Sequence, residues 1–177
     1  MYHIVLYHEG SFLMRSKARL FGHPIHQQLI VFPLGLLATA TLFDIIDWIF
    51  GWPSLSVAAY YMIAAGIIGG LIAAVFGLVD WLAIPAGTRA EQIGLTHGVS
   101  MVVTVVLFII AWFLHDRGNP GTLPRILQII GAGIAVFGGW LGGELVDRLG
   151  IGVEPGANPD APSSLEREPA GGELAHG

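Results

Sequence analysis

From Leu55 to Val79 the chain runs for 25 residues without a charged side chain. At about 1.5 Å per residue, a helix of that length exceeds the ~30 Å hydrocarbon core of a bilayer, and it offers no polar face to water. Three comparable stretches accompany it. Inside lipid each must satisfy its own backbone hydrogen bonds, which narrows the fold class to an all-α membrane protein, an antiparallel bundle of four transmembrane helices. Composition agrees: 54% of residues are hydrophobic and 12% charged, too little charge to cover a soluble surface.

The pattern divides the chain into an N-terminal leader (1–20), a four-helix transmembrane domain (21–151) with spans at about 24–47, 55–83, 93–114 and 125–148, and an acidic tail (152–177) expected to be disordered. Residues 1–13 lack a signal peptide's basic start, apolar run and cleavage site, and they read either as a start placed too early or as a short interfacial segment. The basic patch Arg15, Lys17, Arg19 precedes the first span. The formal charge of −5 lies almost wholly in the tail, where five acids face one Arg for a net −4, so the membrane body is nearly neutral.

Pro24 suits the first turn of a helix, which puts His23 at its start and His26 one turn in, on the same face. Steps of four and three from His26 meet Ile30, Pro33, Leu37, Ala40, Asp44 and Asp47, a stripe predicted to point into the bundle, while Val31, Phe32, Gly35 and Leu42 face lipid. In the second helix Gly66, Gly69, Ala73 and Gly77 share a face that lets a neighbour approach closely, with Asp80 on the same face. In the third, His97, Ser100, Met101, Thr104, Phe108 and Ala111 line one side. Thr88–Glu91 reads as a polar loop, and Asp44 and Asp47 as the interfacial end of the first helix. Glu144 reads as a helix-end residue, and Gly138/Gly142 and Gly139/Gly143 have small-residue packing spacings.

Four spans return both termini to one side of the membrane. That side carries Arg15, Lys17, Arg19, Arg89, Arg148 and Arg167 against Arg117 and Arg125 on the other, so the termini are expected in the cytoplasm. The same threading brings His23, His26, Asp80, His97 and Glu144 to one level, and it predicts that His26 and His97 lie within ~10 Å of each other with Asp80 near at least one of them.

Gly22-His-Pro-Ile-His26 with Phe32-Pro-Leu-Gly35, Gly77-Leu-Val-Asp-Trp-Leu-Ala-Ile-Pro-Ala-Gly-Thr-Arg89, His97, and Gly138-Gly-Trp-Leu-Gly-Gly-Glu-Leu-Val146 together resemble the bacterial integral membrane family catalogued as domain of unknown function 2231. The resemblance covers about Phe21 to Val153. It implies a four-helix protein of the bacterial inner membrane without an assigned activity, some of whose relatives accompany redox modules. Asp147 stands where the family's closing motif suggests a tyrosine, so nothing is carried over to that position.

The cluster at the terminal side supports several readings. The first is a structural lock, a His–Asp hydrogen-bonded contact between helices, or a partner-binding module with no catalytic activity of its own. The second is a membrane redox subunit: His26 and His97 could hold a b-type haem, or His23, His26, Asp80 and His97 a transition metal. The third is passage of protons or small solutes along the Asp44-to-His26 stripe. With no cysteine, disulfides, cysteine-held iron–sulfur clusters and covalent haem are excluded. Soluble-enzyme motifs and a nucleic-acid-binding surface are lacking. The expected partners are the lipid bilayer and either a second copy of the chain or a redox protein.

Overall fold

The computed structural model describes residues 13–166, so the expectations for residues 1–12 and 167–177 lie outside the described residues. Four helices are long and apolar enough to cross a membrane: Ile25–Phe50 (α1), Pro53–Trp81 (α2), Arg89–Leu114 (α3) and Thr122–Arg148 (α4). Their mean hydropathies run from 1.6 to 2.5, yet only 22–28% of the residues in their most apolar windows are buried within the chain. Apolar side chains such as Val31, Phe32, Leu71, Val102 and Val136 therefore point outward, as lipid-facing residues must.

Each helix end has a local cause. Pro53 occupies the first turn of α2, where its missing N–H costs nothing. Gly51, at φ 68°, closes α1 in the left-handed conformation. The Thr88 hydroxyl accepts the Glu91 amide at 3.2 Å, so the stretch expected as a loop instead caps α3. The α1 helix is interrupted at Ile30. Pro33 has no N–H to offer Leu29, and its ring crowds that carbonyl. Pro24 lies one residue before the helix and pairs with Arg19 in a two-residue β-hairpin, Arg19–Leu20 with His23–Pro24. The last turn of α4, Glu144–Arg148, widens to a π-helix.

The pairs α1·α2 and α3·α4 pack most intimately, α2·α3 and α4·α1 close the ring, and α1 and α3 face each other across its diagonal. The glycine face of α2 does meet α1: a Cβ on Gly66 would lie 2.6 Å from the Leu37 side chain, and one on Gly77 would lie 2.9 Å from the His26 ring. The predicted inward stripe of α1 holds from Pro33 onward, with Pro33, Leu37, Ala40, Asp44 and Asp47 all buried, but Ile30, at the interruption of the helix, is exposed. At mid-bundle Leu37, Ala40, Ala59, Ile63, Ile67 and Phe108 form the core.

The two hairpins repeat one design. A shift of 71 residues takes His26 to His97, Leu37 to Phe108, Ala40 to Ala111 and Asp44 to His115; a shift of 65 takes Ile63 to Gln128, Gly66 to Gly131, Ala73 to Gly138 and Gly77 to Gly142. Most of these are buried in both hairpins. Since both hairpins run the same way through the membrane, the repeat is parallel, with its pseudo-twofold axis along the membrane normal.

The tail from Gly152 to Glu166 has turns but neither helix nor strand. It is nonetheless tied to the body: Gly152 donates to the Met14 carbonyl at 2.7 Å, Glu154 pairs with Arg15 and Arg19, and Ser164 donates to the Phe21 carbonyl at 3.1 Å.

Candidate functional site

At the terminal end of the bundle, the His26 ring lies 6.3 Å from the His97 ring, centroid to centroid, with their planes at 89°. They approach across the α1–α3 diagonal, at positions related by the internal repeat. Nδ1 of His26 lies 2.8 Å from the Ala73 carbonyl of α2, and Nδ1 of His97 lies 2.8 Å from the Gly138 carbonyl of α4. A carbonyl only accepts, so both rings carry their proton on Nδ1, and in the neutral imidazole Nε2 is left as a bare lone pair. Neither Nε2 is among the sealed polar atoms of the described residues. Small residues make room for both rings: Gly77 beside His26, and Gly142, where a Cβ would come to 3.4 Å, beside His97.

The other residues expected in this cluster are engaged elsewhere. Asp80 accepts from the Ser16 hydroxyl and the Lys17 amide at 2.8 Å and from the Ala18 amide at 3.4 Å. It clamps the segment before α1, and none of its hydrogen bonds goes to a histidine. His23 is exposed and bonds Ser164 at 3.3 Å, while Glu144 pairs with Arg89 at 2.6 Å. Among the described residues no three His, Cys, Asp or Glu side chains are grouped as a metal site would require.

A second polar group, not singled out as a site by sequence reasoning, lies at the far end. Asp44 is 1% exposed; its Oδ2 accepts from His115 Nε2 at 3.0 Å and from Gln128 Nε2 at 2.7 Å. Asp47, 6% exposed, accepts from Arg125 at 2.7 Å. Both acids, expected at the interfacial end of the first helix, lie in the last two turns of α1 and are buried within the bundle. The signal was present in the stripe that turned both acids inward, but their partners, His115 and Gln128 for Asp44 and Arg125 for Asp47, lie more than 70 residues away in sequence. Asp44 and His115 are again related by the 71-residue shift.

Outside the spans, Glu154 is held below the usual carboxylate range, first by the hydrogen bond from Arg15 and also by the charge of Arg19.

The sequence profile of a family described as predicted membrane protein, domain of unknown function 2231, matches residues 22–155. The chain belongs to this DUF2231 family. No curated protein and no solved structure is detectably similar to it. The matched segment begins at the glycine before His23 and ends at Pro155, so it takes in all four spans and both polar groups of this DUF2231 protein.

Proposed function

We propose that this DUF2231 protein is a membrane redox module that holds a b-type haem between His26 and His97. The observation that carries the reading is the pair of imidazoles brought together from α1 and α3, each with its Nδ1 on a backbone carbonyl. His26 and His97 would hold the iron through their Nε2 lone pairs, from rings that lie 6.3 Å apart, centroid to centroid. Each Nδ1–H is spent on a backbone carbonyl, the arrangement that fixes the tautomer and aims Nε2 in histidines that ligate metals. The count of ligands favours haem over a bare ion. Zinc or a similar metal needs three or four protein ligands, and among the described residues no third His, Cys, Asp or Glu joins the pair. A haem would need only two nitrogen donors from the protein, which His26 and His97 would supply. When bound it would supply reversible one-electron chemistry at iron. The chain's own residues orient the two imidazoles, through Ala73 and Gly138, and surround them with apolar helix.

The basic residues of the terminal side support a cytoplasmic location for both termini in a bacterial inner membrane. Passage along the axis is not favoured: His26 and Asp44 are 18 residues apart, about 27 Å, and Leu37, Ile63, Ile67 and Phe108 fill the space between.

The two Nδ1 bonds also favour a second reading, a pure lock in which each histidine staples its own hairpin, His26 to α2 and His97 to α4. The optical spectrum of full-length protein purified in detergent from haem-replete cells separates the two. The haem reading expects a Soret band and a sharp α band on reduction, lost in both His26→Ala and His97→Ala. Wild-type protein without a Soret band overturns it, and a loss of thermal stability in those variants then supports the lock.

A further inference from the structure

At the terminal side the segment before α1 meets the tail in a clamp for an oxyanion. Arg15 and Arg19 each take one oxygen of the Glu154 carboxylate: Arg15 holds Oε1, and the Arg19 guanidinium lies 2.8 Å from Oε2. Arg19 is itself set in place by the Gly22 carbonyl, to which its Nε donates at 3.1 Å. Two guanidiniums that divide the oxygens of one acid present the forked donors that also suit a phosphate group. A cavity of about 190 Å³, lined by both arginines, His23 and Gln27, opens beside the carboxylate. Glu154 holds this place loosely. It belongs to a stretch with neither helix nor strand, its side chain is 37% exposed, and ion pairs so exposed contribute little. The bond that fixes the start of the tail, from Gly152 to the Met14 carbonyl, lies upstream, so releasing Glu154 leaves the body intact.

The place of the clamp says where another oxyanion comes from. Arg19 faces Pro24 across the hairpin, one residue before the apolar span that begins at Ile25, which sets it at the level of the lipid headgroups. Leu20 and Phe21 at the hairpin's tip are 48% and 72% exposed. Phe21, at φ 50°, is the one non-glycine with positive φ among the described residues, a conformation that costs a bulky side chain and that hairpin turns give to glycine or asparagine. An exposed aromatic held there beside a basic patch fits an interface anchor, its ring toward the acyl chains and the cations at the phosphates. We propose that Arg15 and Arg19 bind the phosphate of an anionic phospholipid, and that Glu154 is the internal competitor this lipid displaces. The tail is thereby a latch, which lipid on the clamp releases from Glu154 onward. Inorganic phosphate offers the same group without the acyl chains that Leu20 and Phe21 meet, and it binds far more weakly. The inference stands apart from the haem reading and shares no ligand with it.

Full-length protein in neutral detergent micelles is titrated with phosphatidylglycerol or with phosphatidylcholine of the same acyl chains, at fixed ionic strength, and bound lipid is counted by native mass spectrometry. Phosphatidylglycerol should bind more tightly than phosphatidylcholine by about fivefold or more. Arg19→Gln should weaken it by about fivefold, whereas Lys17→Gln, an equal loss of charge outside the cavity, should change it by less than about twofold. Glu154→Gln should tighten binding, and Asp160→Asn, the same change of charge further along the tail, should not. Equal binding of the two lipids, equal effects of the Lys17 and Arg19 variants, or equal effects of the Glu154 and Asp160 variants overturns the proposal; the last two would mean diffuse attraction to charge. Inorganic phosphate that displaces the lipid at matched concentration overturns it as well, leaving a site for a soluble ion. Should Arg19→Gln fail to fold, the lipid selectivity of the wild type and the contrast between the two tail variants decide.

Discussion

Replacing Gly77 with alanine tests whether the fit of α2 against His26 matters. The new Cβ would lie 2.9 Å from both Cε1 and Nδ1 of the imidazole. Reaching ordinary contact at 3.4 Å or more requires a retreat of about 0.5 Å. The ring is not free to make it, because Nδ1 is held 2.8 Å from the Ala73 carbonyl one turn up the same helix. Overpacking of this kind costs about 1–3 kcal/mol, and a weakened interhelical hydrogen bond adds roughly 0.6 kcal/mol in a membrane setting. Alanine's better helix propensity returns up to ~1 kcal/mol. The net expectation is a loss of about 1–2 kcal/mol. The control is Gly139→Ala, where an added Cβ meets nothing within 4 Å, so the propensity gain alone should remain. Reversible unfolding in mixed micelles, both variants measured beside wild type, reads the difference directly. If Gly77→Ala is as stable as Gly139→Ala, the tight seat of His26 is wrong.

Arg125→Ala strands Asp47 as a buried unpaired charge and should cost ~3 kcal/mol in the same unfolding assay; adding Asp47→Asn should restore more than half of it. Asp80→Ala should release residues 16–18, seen as faster tryptic cleavage at Arg15 and Lys17 with little change in the global unfolding midpoint. Because the Glu154 carboxyl is held low by Arg15 and Arg19, the undocked tail binds the proton more readily. Docking of residues 152–166 should therefore be strongest above the ordinary glutamate value of ~4.3 and fade as pH falls below it through the lowered folded value. Fluorescence from a probe at Ser163 should report this, with salt sensitivity, and Glu154→Gln should abolish the pH step. Reporter fusions at Gly177 and in the 115–122 loop should land on opposite sides of the membrane; agreement between them would contradict a four-span path.

The sequence by itself determined the class of the protein and the direction of its faces. Uncharged runs longer than a bilayer is thick permit only helices, and a helix's 3.6-residue period carries His26, Leu37 and Asp44 to one side wherever the neighbours are. The parity of four spans then puts His26 and His97 at one end, so their approach was legible without coordinates. Packing alone decided the partners. Asp80 belongs to the same end as the histidines, but its carboxylate is taken up by the Ser16 hydroxyl and the Lys17 and Ala18 amides. Asp44 and Asp47 were legible as inward positions near the end of α1, but only the packing of α1 against α3 and α4 brought His115, Gln128 and Arg125 to them. Hydrogen bonds are set by distances of a few tenths of an ångström between residues far apart in the chain, and no local period encodes them.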